Sequence, residues 1–310
     1  MSVMRTRNAA ELRGIICVMV VLGLSALATL GAQPVTALDS LGRKVTIPSA
    51  AHRIVSLSPE ATEAIYAAGA GPALVGDTSY CDYPPAARSL PKIGGFAPDT
   101  VSVEKIVSLR PDLVITGGSL QSQVEATLTR LGIRVFAYEP KDFVAIADGM
   151  MAIGALAGTG DQGIRAAATL TAAVEKVRQL TARIPSSRRP AVFWEVYDEP
   201  LMTCGRNSFA HQLIEVAGGR DIFSDLPGPW PVVSNEEVLT RAPDFILGPD
   251  DMGASVDVSR IAARPGWNSL PAIRNNRILL LPADLVSRAG PRIASGLLMV
   301  LRVLHPELVP

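Results

Sequence analysis

The stretch SVEKIVSLRPDLVI, residues 102–115, decides how the fold is interpreted, because SNEEVLTRAPDFIL repeats its pattern 132 residues later, at 234–247. Ser, Glu, Pro and Asp fall at the same spacing in both segments. In each, the serine can cap a helix, the glutamate lies in its first turn, and the apolar run after Pro-Asp enters a strand. Two copies of one helix–turn–strand unit suggest two similar lobes. The alternative is that a single α/β protein uses a common unit twice.

Outside the repeat, short apolar runs alternate with helical patterns. Continuous apolar runs bounded by Pro, Gly or Asp are typical of strands buried on both faces. Strands that alternate with helices predict an α/β fold with a parallel sheet. The predicted strands are RIVSL (53–57), ALVG (73–76), DLVIT (112–116), RVFAY (134–138), AVFWEV (191–196), DFILG (244–248) and RILLL (277–281).

The middle of the chain carries no strand signal. GDQGIRAAATLTAAVEKVRQLTARIP is rich in alanine, has apolar residues at helical spacing, and is stopped by Pro185. We predict one long helix that joins two lobes, although one more crossover helix of a single large sheet is the alternative. The predicted boundaries are a lead-in at 33–51, an N-terminal lobe at 52–159, the joining helix at 160–184 and a C-terminal lobe at 185–310.

Residues 1–32 are typical of a secretory signal peptide. Arg5, Arg7 and Arg13 precede an uncharged apolar run, and small residues follow at its end. Export is therefore expected, with a retained membrane anchor as the alternative because the run approaches spanning length. An exported protein could pair Cys81 with Cys204, but the sequence does not fix their distance.

Composition excludes several classes of function. The chain has 310 residues, is 48% hydrophobic and 19% charged, and has a formal charge of zero. This is a globular composition without the basic surface that a nucleic-acid partner requires. The sequence has no GxxxxGK[ST], GxSxG or HExxH motif, and its three histidines form no group with metal-ligand spacing. It therefore predicts neither catalytic residues nor a metal site.

Aromatic residues occur in two loops expected at the mouths of the sheets. TSYCDYPPAARSLPKIGGF (78–96) follows a predicted strand, and DLPGPWPVVS (225–234) holds Trp230 between two prolines. Ligands of open α/β sheets bind beyond the carboxyl ends of the strands, where rigid aromatic side chains can stack on a large flat ligand. Ordinary packing under a long loop is the competing explanation.

These segments resemble the periplasmic substrate-binding proteins of ABC importers for metal chelates: siderophores, haem and cobalamin. The likeness runs from about residue 52 to 295 and is closest to the cobalamin-binding members. It implies two Rossmann-like lobes joined by a single long helix, with the ligand in the cleft between them. It also implies a monomer in the periplasm with no cofactor of its own. The segments that carry the likeness are RIVSLSPEATEAIYAAG, SYCDYPPAARSLPKIGGF, SVEKIVSLRPDLVI, SFAHQLIEVAGGRDIF, PWPVVSNEEVL and SRAGPRI.

The resemblance gives the repeated glutamates a role. In the family, one surface glutamate on each lobe meets arginines of the membrane permease, a dimer that works with an ATPase. Glu104 and Glu236 match these positions. A symmetric permease offers two equivalent basic sites, and such charged pairs mainly steer docking. The alternative is that both acids are merely favourable charges in the first turns of their helices.

The resemblance also implies a corrinoid, such as cobalamin, as the ligand. The cobalamin-binding protein has a tryptophan where this chain has Phe96, and aromatic residues where it has Gly117 and Leu285. Trp194 or Tyr197 could compensate, and haem or a ferric siderophore remains an alternative ligand. An enzyme acting in the cleft is a further alternative, which the lack of a catalytic motif disfavours. The residues expected at the ligand are Tyr80, Tyr83, Phe96, Trp230 and Asp284.

Overall fold

The computed structural model describes residues 33–250 and 257–309, so the predicted signal peptide lies outside the described residues. The strands are β1 (Val35–Leu38), β2 (Lys44–Ile47), β3 (Ile54–Ser56), β4 (Leu74–Gly76), β5 (Leu113–Thr116), β6 (Val135–Ala137), β7 (Ala191–Asp198), β8 (Leu201–Thr203), β9 (Arg220–Asp221), β10 (Phe245–Pro249) and β11 (Ile278–Leu281). The helices are α1 (Pro59–Ala67), α2 (Val103–Ser108), α3 (Ser122–Arg130), α4 (Phe143–Leu156), α5 (Gly160–Thr181), α6 (Phe209–Val216), α7 (Asn235–Arg241), α8 (Val258–Ala262), α9 (Pro271–Arg274), α10 (Ala283–Val286) and α11 (Ile293–Leu304).

Two separate sheets form the two lobes. The N-terminal sheet has the order β4-β3-β5-β6 and is parallel throughout. The C-terminal sheet has the order β11-β10-β7-β8, with β9 beside β7, and only β8 runs antiparallel. All seven predicted strands are present, and the single-sheet alternative is wrong. The sequence reasoning missed β8, β9 and the β1–β2 hairpin, which packs against α4 of the N-terminal lobe.

The joining helix is α5, which is 22 residues long and ends at Thr181, three residues before the predicted end. Pro185 explains the difference, because proline disfavours a helical conformation in the residue before it. The buried stripe of α5 packs on α4 in the N-terminal lobe and on α6 and α11 in the C-terminal lobe. One apolar core continues along this helix through both lobes.

The serines of the repeat cap their helices as predicted. The Ser102 hydroxyl accepts a hydrogen bond from the Lys105 N–H (3.3 Å), and that of Ser234 accepts one from the Glu237 N–H (3.2 Å). Glu237 completes a capping box by accepting from the Ser234 N–H at 2.8 Å. The two repeats therefore start their helices in the same way.

The aspartate of the repeat also has a structural role in both copies. The Asp112 carboxylate accepts a hydrogen bond from the His52 N–H (2.8 Å), just before β3. The Asp244 carboxylate accepts one from the Ala191 N–H (2.8 Å), at the start of β7. Each aspartate thus ties its own strand to the neighbouring strand. Among the serine, glutamate and aspartate of the repeat, only glutamate lacks a comparable role in the fold.

Both cysteines outside the first 32 residues are buried free thiols, so the possible disulfide between Cys81 and Cys204 is not formed. The Cys81 sulfur lies 3.1 Å from the hydroxyl oxygens of Thr62 and Thr78 in the N-terminal lobe. Cys204 follows β8 in the C-terminal lobe. No helix in the described ranges is both long and apolar enough for a membrane span.

Candidate functional site

Two cavities open at the carboxyl ends of the strands, one on each lobe. The N-lobe cavity has a volume of about 430 Å³ and the C-lobe cavity one of about 410 Å³. Val286 and Ser287 line the C-lobe cavity, and the next residue, Arg288, lines the N-lobe cavity. The two cavities are therefore adjacent parts of one cleft between the lobes.

The C-lobe cavity is lined by four aromatic side chains. Trp194 is buried on β7, whereas Tyr197 and Trp230 are 42% and 45% exposed. Phe209, the first residue of α6, is the fourth. Strand β7 is central to the C-terminal sheet, so Trp194 has a fixed position behind the more exposed rings. The cavity can therefore offer ring faces to a large flat ligand.

Backbone hydrogen bonds on both sides hold Trp230 against β8. The Gly205 N–H donates to the Pro229 carbonyl (2.9 Å), and the Thr203 N–H donates to the Pro231 carbonyl (3.1 Å). Thr203 itself is anchored, because its hydroxyl donates to the Trp194 carbonyl at 2.8 Å. A half-exposed ring on an anchored loop loses little conformational freedom when it binds a ligand.

Phe96 lines the N-lobe cavity and lies directly over Gly117. A Cβ atom at Gly117 would come within 2.9 Å of Cε2 of Phe96, so the phenyl ring occupies the space of a side chain at 117. The buried Gln121 fixes this arrangement: its Nε2 donates to the Phe96 carbonyl (2.8 Å), and its Oε1 accepts from the Gly117 N–H (2.8 Å). The Phe96 ring thus fills space over Gly117, where the resemblance expects a second aromatic side chain.

The two tyrosines expected at the ligand have different surroundings. Tyr80 lines the N-lobe cavity and is 60% exposed. Tyr83 is among the described residues that line neither cavity, and the Arg292 guanidinium lies 4.0 Å from its ring centroid. A cation over one face of the ring leaves only the other face and the edge for a ligand.

Asp284 belongs to a group of charged side chains that connects the lobes. Arg288 pairs with Asp82 at 2.7 Å, with Asp284 at 2.7 Å and with Glu63 at 3.4 Å. Arg292 pairs with Glu63 at 2.6 Å and with Asp284 at 3.5 Å. We call these five residues the inter-lobe ion cluster. Asp284 lies in this cluster and, among the described residues, not in the lining of either cavity.

Burial and ion pairing act in opposite directions on the carboxyl group of Asp82. Burial raises its pKa, whereas the hydrogen bond and charge of Arg288 lower it, and the net result is a lowered pKa. A lowered pKa keeps Asp82 ionised at neutral pH. The cluster therefore joins charged partners from the N-terminal lobe to charged partners from the C-terminal lobe.

Glu104 and Glu236 are both exposed, each in the first turn of its helix, α2 or α7. Neither takes part in an ion pair with another residue of the described ranges. The Glu104 carboxylate accepts a hydrogen bond only from the nearby Ser102 hydroxyl (3.2 Å). Each lobe thus presents one available carboxylate at an equivalent position.

Comparison with known proteins identifies the family. The family described as periplasmic binding protein matches residues 54–285. The chain belongs to this family. The vitamin B12-binding protein of Salmonella typhimurium is 34% identical over 246 residues, which are 79% of this chain and 86% of that protein.

Solved structures of periplasmic binding proteins have the same fold. The periplasmic vitamin B12 binding protein of Vibrio cholerae is 29% identical, with a TM-score of 0.70 over 84% of this chain and 99% of that one. The periplasmic heme-binding protein of Roseiflexus sp. RS-1 in apo form is 28% identical, with a TM-score of 0.73 over 83% and 99%. The predicted fold class, two α/β lobes of this family, is confirmed.

Family membership also fixes the general role. Periplasmic binding proteins of this type work with the permease and ATPase components of ABC transporters, and a Bacillus subtilis relative is named as an ABC transporter substrate-binding lipoprotein. They are binding proteins, not enzymes, and they carry transported ligands instead of a cofactor. The predictions of a binding protein without catalytic residues or a cofactor are confirmed by this membership.

Several residues of the cleft were missed by sequence reasoning. Phe209, Glu60 and Gln121 carry no local signal, because each lies in an ordinary helical or turn pattern. Arg288 and Arg292 could have been found, since their spacing of four residues, continued back to Asp284, places charged partners on one face of a turn. Their N-terminal partners are distant in sequence and appear only in the fold.

Proposed function

We propose that this periplasmic binding protein carries cobalamin or a related corrinoid in the cleft between its lobes. The observation that supports this best is the C-lobe cavity, where Trp194, Tyr197, Phe209 and Trp230 face a cleft bordered on the other lobe by Phe96. A corrin is a large flat ligand, and aromatic faces on both sides suit it. The sequence likeness to vitamin B12-binding proteins supports the same choice.

Haem is the second candidate ligand. Tyr80 presents an exposed phenol at the N-lobe cavity, and a tyrosine oxygen can bind haem iron. The structural likeness to a heme-binding protein adds support. A ferric siderophore of comparable size is an alternative without an observation of its own.

Visible absorption spectroscopy separates these ligands. The purified protein is mixed with cyanocobalamin or with haemin, desalted, and scanned. Corrin bands that elute with the protein, at about one ligand per chain, are the expected result. Retention of haemin together with loss of cyanocobalamin would contradict the corrinoid proposal and leave the family assignment unchanged.

Replacing Trp230 by alanine should weaken cyanocobalamin binding by about 2 kcal/mol, roughly thirtyfold, because the ring loses stacking and burial against the ligand. Titration calorimetry measures the change. The control is Leu131→Ala, which removes a side chain of similar exposure, 56%, that lines neither described cavity. Equal affinities of wild type and Trp230→Ala would make Trp230 a packing residue.

Delivery to the transporter uses Glu104 and Glu236 as docking contacts with a permease dimer, and the protein acts as a monomer. The resemblance to the family implies this role. Both carboxylates are exposed, whereas the serine and the aspartate of each repeat make hydrogen bonds that maintain the fold. Two equivalent carboxylates suit a partner with twofold symmetry.

Residues 1–32 serve as the signal peptide that exports the chain to the periplasm.

A further inference from the structure

The charges around the N-lobe cavity are unbalanced. Arg288 is the only basic residue among the described residues that line either cavity. Its guanidinium contacts three carboxylates: Asp82 and Asp284, both at 2.7 Å, and Glu63 at 3.4 Å. Its positive charge is therefore already paired with carboxylates of the protein.

The second arginine of the inter-lobe ion cluster is occupied as well. Arg292 donates two hydrogen bonds to the Glu63 carboxylate, at 2.6 and 2.9 Å, and lies over the ring of Tyr83. Glu63 is only 2% exposed, so its carboxylate is buried where it pairs with Arg292. Neither guanidinium is free to pair with an anionic ligand without first losing a protein carboxylate.

Glu60 adds a further carboxylate to the N-lobe cavity. It lies in the first turn of α1, where the helix dipole favours negative charge, and takes part in no ion pair among the described residues. Together with Glu63, Asp82 and Asp284, it makes four carboxylates against two guanidiniums, a net charge of −2.

A partly desolvated carboxylate that forms no ion pair is stabilised by a hydrogen bond from a neutral N–H donor. A second carboxylate nearby repels it. Burial raises the pKa of Glu60, whereas hydrogen bonds from its own backbone N–H and from the Ser58 hydroxyl, and the charge of Arg288, offset part of that rise. A primary amide at the edge of a ligand supplies such a donor. A carboxylate at the same place would add like charge at short range, which reduces affinity by about tenfold.

We infer that Glu60 makes this cleft selective for metal chelates with neutral amides at their edge, and against chelates with carboxylates there. The inference rests on the proposed function, since it specifies which ligands the same cleft accepts. Glu60 is then a specificity-determining residue, while the inter-lobe ion cluster pairs both arginines with protein carboxylates.

The test compares ligands that differ by one charge. Cyanocobalamin carries peripheral amides, and mild hydrolysis gives separable monocarboxylates in which one amide is an acid. Calorimetric titrations at pH 8 keep the ligand acid ionised. We expect at least one monocarboxylate to bind the wild type about tenfold more weakly than cyanocobalamin. Equal affinity for cyanocobalamin and every monocarboxylate would overturn the inference.

The variant Glu60→Gln removes the charge and keeps the size of the side chain. It should reduce the preference for cyanocobalamin over that monocarboxylate to about threefold or less. The readout is the ratio of the two affinities, since Glu60→Gln also changes the acceptor that the ligand amide meets. The matched control is Asp148→Asn, which removes one acid from the exposed face of α4 and should keep the wild-type preference. A preference that is unchanged in Glu60→Gln would exclude Glu60 as its source.

A wrong choice of ligand can be distinguished from a wrong role of Glu60. If the wild type binds neither cyanocobalamin nor its monocarboxylates but binds haemin, then haemin and its diamide form the matched pair. Tighter binding of the diamide, lost in Glu60→Gln, would support charge selection in a cleft for a different chelate. Tighter binding of the free acid would overturn it.

Discussion

Reversing the charge of both Glu104 and Glu236, each to lysine, is expected to abolish stimulation of the transporter's ATPase and leave ligand affinity unchanged. Both carboxylates are exposed and lie in the first turns of α2 and α7, outside the lining of both described cavities. In the proposed complex each acid meets arginines of the permease. Each reversal would replace attraction by repulsion, which costs several kcal/mol per contact.

The experiment needs a control with the same change in net charge. Asp148→Lys together with Glu175→Lys alters exposed acids on α4 and α5 and should stimulate the ATPase as the wild type does. ATPase activity of the permease complex in proteoliposomes and ligand titration of each variant are measured side by side. Each single reversal should retain partial stimulation, because one docking contact remains. Wild-type stimulation by the Glu104→Lys/Glu236→Lys variant would remove the docking role.

Replacing Lys92 by methionine is expected to lower the free energy of unfolding by about 3 kcal/mol at pH 8. Asp77 is fully buried after β4, and the Lys92 ammonium lies 2.6 Å from one of its carboxylate oxygens. The same ammonium donates to the carbonyls of Cys81 (3.1 Å) and Ala87 (2.9 Å). Lys92 therefore neutralises a buried acid and ties down the loop that carries Tyr80. Methionine removes the charge and the donors and keeps most of the apolar stem.

The loss of stability in Lys92→Met should be larger at pH 8 than at pH 5. Burial raises the pKa of Asp77 from 3.8 to about 6, against the opposing influence of Lys92. A carboxyl group with a higher pKa in the folded state takes up a proton on folding, so its ionisation destabilises the fold as pH rises through 6. Without Lys92 the folded pKa rises further. Near pH 5 Asp77 is largely protonated in both proteins, and the difference between them should shrink.

Urea denaturation at pH 8 and pH 5 measures both stabilities. The double variant Lys92→Met/Asp77→Asn is the control, because it removes the buried charge together with its partner. It should recover most of the loss at pH 8. A destabilisation of the same size at both pH values would mean that Lys92 acts through packing and not through Asp77.

The sequence predicted the parts of this fold that depend on local pattern. The seven strands, the joining helix and both serine caps follow from apolar runs, helical spacing and capping chemistry. The β1–β2 hairpin was missed because exposed and more buried positions alternate along its strands, which therefore lack the continuous apolar runs by which the other strands were predicted. Strand β9 has two residues and gives no pattern to detect.

The cleft was less predictable, because it depends on contacts between distant segments. Arg288 and Arg292 meet Glu63 across separations of 225 and 229 residues, and no local feature of the sequence indicates that pairing. The position of Trp230 in a loop at the cleft could be predicted from its flanking prolines. The place of Tyr83 beside Arg292, outside the lining of the described cavities, could not, because it depends on how the two lobes close on each other.

The contact between Phe96 and Gly117 couples the substitutions that these two positions of the cleft can accept. A side chain at 117 would require the present ring at 96 to move, since a single added carbon would approach Cε2 of that ring to 2.9 Å. Mutations at the two positions are therefore epistatic. Engineering that introduces an aromatic residue at 117 therefore has to make room for it at 96 as well.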